Sequence, residues 1–383
     1  MAVLFITHKF PPATGGMENQ SFQLITGYSK VHKAYTIIYE GKENILFFFI
    51  KLRSRVRRML RLYPEISVIH LNDGLMAALF VITGVNAQGR KIVATIHGLD
   101  IVFPLPLYQN KIIPLLISKI DRFICVSSAT RMECEKRNFL PFQLTVVHNC
   151  VENKEWNAEV RPDITIPNID FEKDTIILAI GRPVKRKGFS WFAKEVMPLL
   201  GCPYKFVHIG QINTKQPFFY PIMSANIKNY YNLFTGRASD TSDLIEAASD
   251  PKNNTILAGK LSDKERDYLL EKATCLVMPN IKQAGDMEGF GLVALEASMM
   301  GKTVIASSIE GITDAIQNNK NGYIVPYGKP DVWVEIIRRL ADSHTSFSKS
   351  FRSFTIENYS CKKMVEGYHS VFENITNQDG ASL

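Results

Sequence analysis

Two acidic residues and a pair of glycines stand close together in the last third of the chain. Glu288 and Glu296 are eight positions apart, and the run Gly-Phe-Gly follows the first of them. Glycines allow close backbone approach to a ligand. The apolar spacing from Leu292 onward predicts the start of a helix, where free N–H groups bind anions. Carboxylates beside an anion site suit a sugar nucleotide. We expect Glu288 in the loop and Glu296 about two turns inside the helix.

A second group of charged residues follows an apolar run in the middle of the chain. Arg182 comes directly after ILAI, and Lys185, Arg186 and Lys187 precede Gly188 within one short turn. A basic loop is most often simply solvated. Its position at the carboxyl end of a buried strand favours a different interpretation, because fixed cations at such an end neutralise a diphosphate.

Strands must position these residues, and twelve apolar runs alternate with longer helical stretches. Each run is nearly continuous, which is typical of a strand covered by helices on both faces. The predicted strands are residues 3–7, 35–40, 67–71, 91–97, 122–127, 144–149, 175–182, 204–210, 254–259, 274–280, 302–307 and 321–326. We therefore predict an α/β fold of two facing Rossmann-like domains with parallel sheets, and a ligand cleft between them.

The domain boundary is predicted from a segment without helical period. Residues 161–174, RPDITIPNIDFEKD, are rich in Pro and Asp and indicate a linker. We accordingly expect an N-terminal domain over residues 1–165 and a second domain over 166–361. Aromatic residues near the end of the chain indicate a closing helix, at about 362–383, that packs back on the first domain.

Composition and charge narrow the class of protein. The 383 residues are 46% hydrophobic and 21% charged, an ordinary globular balance that argues against disorder and against a multi-span membrane protein. The net charge is +8, of which residues 1–165 carry +7. An acidic or phosphate-bearing partner should therefore meet the first half. The six cysteines form no CxxC pair, and we expect them to be reduced and buried.

Five segments together resemble family 4 of the retaining nucleotide-sugar glycosyltransferases. They are FPPATGGMEN (10–19), HGLD (97–100), VSS (126–128), GRPVKRKG (181–188) and EGFGLVALEA (288–297). The likeness covers nearly the whole chain in the correct order, and EGFGLVALE is quite specific. It implies the GT-B arrangement of two Rossmann-like domains, with transfer of a sugar from a nucleotide diphosphate.

The resemblance implies roles for residues of the second domain. Arg182 and Lys187 match the pair that neutralises the donor diphosphate. Glu288 matches the residue that contacts the transferred sugar, and Glu296 matches the acid that holds the donor ribose. The backbone that the likeness places beside Glu288 is that of Gly289, Phe290 and Gly291.

Residues of the first domain are implicated in the same way. His97 resembles the histidine that faces the donor sugar near the reacting carbon, so that His97 and Glu288 are the candidate catalytic residues. Gly15 and Gly16 resemble the loop that approaches the diphosphate and the acceptor. Glu18 occupies a position where the family often has an acid.

The chain also departs from the family pattern. The family often has Pro-Asn-Gly-x-Asp after the sixth strand, whereas this chain reads VVHNCVE, with Cys150 for the glycine and Glu152 for the aspartate. A later Gly-Gly-x-x-Glu run is replaced by EGITDAI (310–316). These differences leave the donor base and sugar open, although frequency alone favours uridine.

The sequence contains no Asp-x-Asp motif, which other transferases use to bind a divalent ion. We therefore expect no metal site and no cofactor, with the nucleotide sugar as co-substrate. Fixed cations and helix-start N–H groups would then stabilise the departing diphosphate. Retention of the anomeric configuration is implied by the resemblance alone.

Residues 45–63, ILFFFIKLRSRVRRMLRLY, carry six basic residues and no acid. On one helix, Leu52, Val56, Met59, Leu60 and Tyr63 would form an apolar stripe beside a basic flank, a profile typical of an interfacial helix on anionic lipid. A basic face on a core helix is the competing interpretation. Nucleic-acid binding lacks a supporting motif.

We therefore predict a glycosyltransferase that moves a hexose from a nucleotide diphosphate sugar, most simply a UDP-sugar, to a glycan or lipid-linked acceptor. The product would be a surface polysaccharide or a glycolipid. A catalytically silent sugar-nucleotide-binding scaffold and a GT-B epimerase or phosphorylase remain as alternatives. No window is apolar enough to span a membrane, and no signal peptide is evident. We expect a cytoplasmic protein, with peripheral attachment at the inner face of the membrane left open.

Overall fold

The structure, a computed structural model, describes residues 1–153, 166–212, 222–235, 239–343 and 348–377. The predicted linker therefore lies partly outside the described residues, as do the last six residues of the predicted closing helix. The strands are β1 (Ala2–Thr7), β2 (Ala34–Ile38), β3 (Ile66–Leu71), β4 (Lys91–Ile96), β5 (Arg122–Cys125), β6 (Leu144–Val146), β7 (Thr175–Ile180), β8 (Tyr204–Ile209), β9 (Thr255–Gly259), β10 (Cys275–Met278), β11 (Val304–Ser307) and β12 (Tyr323–Val325).

The α-helices of the described residues alternate with these strands. They are α1 (Gly16–Val31), α2 (Ile45–Ile50), α3 (Leu52–Leu62), α4 (Gly74–Ile82), α5 (Leu99–Val102), α6 (Ile113–Lys119), α7 (Ser128–Glu135), α8 (Phe189–Trp191), α9 (Met197–Leu200), α10 (Ala225–Thr235), α11 (Thr241–Ser249), α12 (Asp263–Lys272), α13 (Leu292–Met299), α14 (Ile312–Ala315), α15 (Pro330–Asp342), α16 (Lys349–Asn358) and α17 (Cys361–Asn377). Within the described residues, no helix has both the length and the apolar composition needed to cross a bilayer.

The chain divides into two compact units. Unit 1 comprises Met1–Val151, Glu288–Leu292 and Tyr359–Leu383, and unit 2 comprises Glu152–Met287 and Val293–Asn358. The five residues 288–292 thus belong to unit 1, although the chain on both sides of them belongs to unit 2.

Unit 1 is built on a six-stranded parallel sheet in the order β2-β1-β3-β4-β5-β6. All six residues of β1 are buried, because each face of the sheet carries its own core cluster. The helices α2 to α6 pack on one face, whereas α1 and α17 pack together on the other through Tyr28, Tyr368 and Phe372. The strand order reverses direction between β1 and β3, so the crevice at the carboxyl ends of these two strands is where ligands bind in such folds.

Unit 2 contains a second parallel sheet of six strands, in the order β12-β11-β10-β7-β8-β9. Core clusters again cover both faces, one of them centred on the fully buried Trp333 of α15. Here the reversal lies between β7 and β10. The loop that leaves β7 is the basic one singled out in the sequence, so its cations stand at the switch point of this sheet.

The predicted fold class is confirmed, because the twelve apolar runs form the strands of two parallel six-stranded sheets. The single helix expected over residues 45–63 is wrong, because the chain forms α2 and α3 with Lys51 between them. The residues of the predicted apolar stripe pack in the core of unit 1: Leu52, Val56 and Leu60 are buried, and Met59 and Tyr63 are partly buried.

The expectation of reduced cysteines throughout is also wrong. Cys150 and Cys361 form a disulfide, although they are 211 positions apart in the sequence. Residue 150 follows β6 and residue 361 begins α17, and the adjacent Val151 N–H donates to the Tyr359 carbonyl at 3.2 Å. The fold therefore brings together two segments whose proximity could not be inferred from local sequence.

Candidate functional site

The carboxyl ends of β1 and β3 in unit 1 carry a histidine and an aspartate in direct contact. His8 follows β1, and its Nδ1 lies 3.1 Å from Oδ2 of Asp73, with both side chains largely buried. Asp73 follows β3 and caps α4, where its Oδ1 accepts the N–H of Met76 at 2.9 Å. Burial opposes ionisation of Asp73, but the His8 ring and the Met76 N–H outweigh it and lower the pKa of the carboxyl.

His97 lies at the carboxyl end of the next strand, β4. Its Nε2 is 2.8 Å from the backbone carbonyl oxygen of Asn72, which can only accept a hydrogen bond. The proton of the ring is therefore on Nε2, and in the neutral ring Nδ1 is left as an acceptor. An imidazole fixed in this way can accept a hydrogen bond from a sugar hydroxyl at Nδ1.

Asp100 holds the backbone of this turn. Both of its carboxylate oxygens accept the His97 N–H, at 2.9 and 3.1 Å, and Oδ2 also accepts the Gly74 N–H at 3.0 Å. Gly98 adopts a φ of 107°, a conformation that favours glycine. Desolvation outweighs these donated hydrogen bonds and raises the pKa of Asp100.

The segment 288–292 packs directly on this turn within unit 1. A Cβ atom placed on Gly289 would overlap the carbonyl oxygen of His97, and it would also contact Val126. Only glycine fits here, because backbone lies against backbone. Glu288, the residue before it, is 9% exposed. The structure therefore brings the two candidate catalytic residues, His97 and Glu288, into neighbouring segments of one unit.

Phe290 anchors the same segment through aromatic contacts. Its ring centroid lies 5.6 Å from that of His148 and 6.2 Å from that of Tyr359, and the side chain is 3% exposed. The contacts join the loop to the segment after β6 and to the residues before α17. Phe290 thus has a packing role, and the buried Gly291 leads from it into α13.

Gly15 and Gly16 lie at the start of α1. A Cβ on Gly16 would make only ordinary contact with Leu292, at 3.5 Å, whereas a Cβ on Gly15 would overlap the carboxylate of Glu18. That carboxylate forms an ion pair with Lys9, at 3.3 Å. Glu18 is therefore held against the glycine loop by a cation that follows β1.

In unit 2, the basic loop is a 3-10 turn over Lys185–Lys187 that follows β7. Arg182 is exposed and Lys187 is half-buried. The carbonyl oxygen of Arg182 accepts the Val184 N–H at 2.8 Å, and the Val184 carbonyl accepts the Lys187 N–H at 2.8 Å. The two predicted diphosphate-binding cations thus lie on one short, internally bonded loop.

This loop is fixed to the one that follows β10. Gly188 has a φ of 66°, and a Cβ there would overlap the Pro279 carbonyl oxygen. The Arg186 carbonyl accepts the Ile281 N–H at 2.9 Å, and the Nε atom of the Arg186 side chain lies 3.6 Å from Oδ1 of Asp286. Because β7 and β10 flank the switch point, these contacts hold both sides of the crevice in unit 2.

Glu296 lies on α13, four residues after the first residue of the helix. The prediction of about two turns was wrong, because α13 starts at Leu292 and Glu296 is about one turn inside it. The charge of its carboxylate acts on Arg266 of α12. Burial opposes the charge of that guanidinium, but Asp267 and Glu296 outweigh it and raise the pKa of Arg266.

The predicted site residues therefore form two groups. Unit 1 holds Gly15, Gly16, His97, Glu288, Gly289, Phe290 and Gly291, and unit 2 holds Arg182, Lys187 and Glu296. Sequence reasoning missed His8, Asp73 and Asp100. A signal for the two aspartates was available, because each lies within four residues of a buried strand end, in HLND and HGLD. In the described part of the chain, no group of three or more His, Cys, Asp or Glu side chains is arranged to hold a metal ion.

Family comparisons cover most of the chain. Residues 161–355 match the model of the family Glycosyl transferases group 1. Residues 2–155 match that of Glycosyltransferase Family 4. Together the two matches span both halves of the molecule.

Individual relatives are distant. A 41.2 kDa protein of the cps region of Klebsiella pneumoniae is 23% identical over 82% of this chain and 80% of its own. The GPI3 subunit of the Saccharomyces cerevisiae phosphatidylinositol N-acetylglucosaminyltransferase is 22% identical over 97% of this chain and 76% of its own. The amylovoran biosynthesis glycosyltransferase AmsK of Erwinia amylovora is 30% identical over 66% of this chain and 56% of its own.

Solved structures share the fold at low identity. The Anabaena protein HepE in complex with UDP-glucose superposes with a TM-score of 0.70 at 13% identity, covering 98% of this chain and all of that one. The lipopolysaccharide outer core galactosyltransferase WaaB superposes with a TM-score of 0.57 at 16% identity over the whole of both chains. The two sheets, their switch-point loops and the family matches agree, and this chain is a glycosyltransferase of the GT-B fold that belongs to the group 1, or family 4, glycosyltransferases.

Proposed function

We propose that the protein is a retaining hexosyltransferase. It moves a hexose from a nucleotide diphosphate sugar, with UDP as the carrier, to a glycan or lipid-linked acceptor in the synthesis of a surface polysaccharide or glycolipid. The observation that carries the proposal is the basic turn with Arg182 and Lys187 at the switch point of unit 2. The relative that binds UDP-glucose supports uridine as the base.

The reaction builds negative charge on the leaving group. As the bond between the anomeric carbon and the phosphate oxygen breaks, its electron pair goes to the diphosphate, and the Arg182 and Lys187 side chains neutralise it. The loop needs little reorganisation, because Gly188 and Arg186 already tie it to the neighbouring loop. We propose that the carboxylate of Glu296 accepts hydrogen bonds from the ribose of the donor.

In unit 1, His97 and Glu288 act on the sugar. Nδ1 of His97 accepts a hydrogen bond from a sugar hydroxyl, because Nε2 already donates to the Asn72 carbonyl. Glu288 accepts a hydrogen bond from a second hydroxyl. The acceptor oxygen bonds to the anomeric carbon on the face that the phosphate leaves, and its proton passes to the leaving phosphate oxygen. We propose that the protein cations take the place of the divalent ion that other transferases use.

The experiment measures binding and transfer separately. Thermal shift with UDP, GDP and several sugar nucleotides identifies the donor. Arg182→Ala and Lys187→Ala should each weaken binding of the donor by at least tenfold, since each removes a charge-assisted contact. Lys252→Ala is the matched control, because it removes an exposed cation that precedes β9, at the opposite edge of the same sheet, and should bind the donor as the wild type does.

Transfer is followed as release of nucleoside diphosphate. A glycosyltransferase releases it only after an acceptor is added, whereas a silent scaffold releases none and a phosphorylase requires phosphate. Glu288→Gln should lower the transfer rate by at least a hundredfold with the thermal midpoint unchanged. Full activity in the Glu288 and Arg182 variants would refute the proposed assignment, and the anomeric configuration of the product tests retention.

A further inference from the structure

The helix α2 exposes an apolar surface to solvent. Leu46 is 64% exposed, Phe47 57% and Ile50 73%, whereas Phe48 between them is fully buried and fixes the helix to the core. Three adjacent large apolar side chains in solvent on one six-residue helix are unusual for a monomeric surface and indicate an interaction site.

The next helix, α3, exposes positive charge without compensation. Its exposed arginines are Arg53, Arg57, Arg58 and Arg61. The ion pairs of the described residues include none of these four. Glu43, the acid that shortly precedes α2, pairs with Lys51 and Arg55. Four positive charges are therefore available for an anionic partner.

The two helices present these residues on one face. The Lys51 N–H donates to the Phe47 carbonyl and the Arg55 N–H to the Lys51 carbonyl, at 3.0 and 2.9 Å, so that hydrogen bonding continues from α2 into α3. The buried side chains Phe48, Leu52, Val56 and Leu60 recur every four residues on the core side of both helices, so the exposed residues at positions 46, 50, 53, 57 and 61 lie on the side that faces solvent. The apolar part of the face lies at its amino end and the basic part follows.

We propose that this α2–α3 surface, formed by Leu46, Phe47, Ile50, Arg53, Arg57, Arg58 and Arg61, binds an anionic lipid bilayer. The three apolar side chains enter the interface and the arginines contact the lipid phosphates. The buried stripe of α3 takes no part. A second copy of the chain fits this face poorly, because a twofold interface uses the same patch on both copies and residues 45–63 hold no acid to pair with the arginines.

The α2–α3 surface lies near the candidate site of unit 1, which gives membrane attachment a role in delivering the acceptor. The ring of Phe49, on α2, lies 5.8 Å from that of His8, which pairs with Asp73 at the carboxyl edge of the sheet. The sugar end of a lipid-linked acceptor would therefore reach that edge of the sheet while its lipid stays in the bilayer. This part of the inference rests on the proposed transferase function, whereas the binding of lipid does not.

Vesicle sedimentation of the full chain tests the binding. The wild type should bind vesicles that contain 30% phosphatidylglycerol, bind phosphatidylcholine vesicles at least tenfold more weakly, and lose affinity as salt rises. The variant Leu46→Ser/Phe47→Ser/Ile50→Ser and the variant Arg53→Gln/Arg57→Gln/Arg58→Gln/Arg61→Gln should each lose at least tenfold in affinity. All seven side chains are exposed, so the thermal midpoint should not change.

Matched controls separate the surface from overall polarity and charge. Leu107→Ser/Met132→Ser/Phe142→Ser removes three exposed apolar side chains from other elements of unit 1. Lys252→Gln/Lys260→Gln/Lys264→Gln/Lys329→Gln removes four exposed charges from unit 2. Both controls should bind as the wild type does. Equal losses in the controls, or no binding by the wild type, would overturn the inference, and the second result would fit an acidic protein partner instead.

A fluorescence measurement reports insertion directly. Phe47→Trp should give, relative to the wild type, a blue-shifted emission with anionic vesicles and quenching by brominated lipid. An unshifted spectrum with vesicles bound would mean that the charges act alone. Donor binding by thermal shift should be the same in all the surface variants, so loss of donor binding tests the transferase and loss of vesicle binding tests the surface.

Discussion

Both carboxylate oxygens of Asp100 lie within 3.1 Å of the backbone nitrogen of His97. The aspartate also accepts the Gly74 N–H, so one side chain links the ends of β3 and β4. Asp100 therefore positions the histidine that we propose to contact the sugar, without touching the sugar itself.

The first prediction concerns this positioning. Asp100→Ala should lower kcat by ten- to a hundredfold while KM for the donor changes little, because a displaced ring costs transition-state contacts more than ground-state binding. Asp100→Asn retains one acceptor oxygen and should recover part of the loss. Steady-state kinetics and circular dichroism of the three proteins provide the check. A purely structural role would lower the thermal midpoint and leave kcat per folded molecule unchanged.

A second prediction follows from the contact between Gly289 and the His97 carbonyl. Gly289→Ala forces the two backbones apart, and such overpacking costs about 1–3 kcal/mol. We expect a lower thermal midpoint together with a loss of transfer of at least a hundredfold. Gly16→Ala is the control for stability only, since its Cβ makes an ordinary contact at 3.5 Å. Equal midpoints for the Gly289 variant and the wild type would contradict the packing described here.

The disulfide gives a third prediction. It closes a very long loop, and in the chain-entropy model a link of this span contributes about 5 kcal/mol by restricting the unfolded chain. Reduction should therefore lower the thermal midpoint of the wild type by several degrees. The variant Cys150→Ser/Cys361→Ser should have the lower midpoint with or without reductant, whereas Cys202→Ser, which removes an exposed thiol, should respond like the wild type. Alkylation of all six cysteines in the unreduced, denatured protein would show that the bond does not form.

The fourth prediction concerns pH and Lys302 of unit 2. Lys302 is 2% exposed, and its ammonium group donates to the carbonyls of Glu271 and Ala273 at the end of α12. Burial lowers the pKa of Lys302 to about 8. At pH values between the pKa of Lys302 in the folded protein and its higher pKa in the unfolded chain, the unfolded chain binds more protons than the folded protein. The free energy of unfolding therefore rises as pH increases above 8, by at most about 3 kcal/mol.

Urea unfolding at pH 7.5 and pH 10 measures this difference. Lys302→Met should lack the gain that the wild type shows, because it has no proton to lose. Lys260→Met, which removes an exposed lysine, should keep the gain. If the wild type and Lys302→Met shift equally with pH, Lys302 is not the group responsible.

Much of the fold was predictable because burial on both faces leaves a clear mark on a strand. Runs such as VLFIT and TIILAI are apolar except for one threonine each, and neither is an edge strand of its sheet. The strand ends were placed too late at several positions. For example, the run 91–97 included His97, which the structure places in the turn after β4, because its N–H bonds to Asp100 and not to a neighbouring strand.

Features that depend on distant parts of the chain were not predictable. The apolar stripe of α3 has the same period whether it faces lipid or core, and only the packing of Leu52 and Val56 in unit 1 decides between them. The pairing of Cys150 with Cys361 depends on α17 returning to the first sheet. The part of Asp100 that links two strand ends depends on the Gly74 N–H, which follows β3 and lies 26 residues earlier in the chain.

The assignment of residues 288–292 has a consequence for engineering. A chimera that exchanges residues 152–358 as one block would import a foreign loop against the native His97 turn. A chimera made to transfer donor specificity should therefore keep residues 288–292 from the protein that supplies unit 1. Alternatively, the HGLD turn should be exchanged together with these five residues.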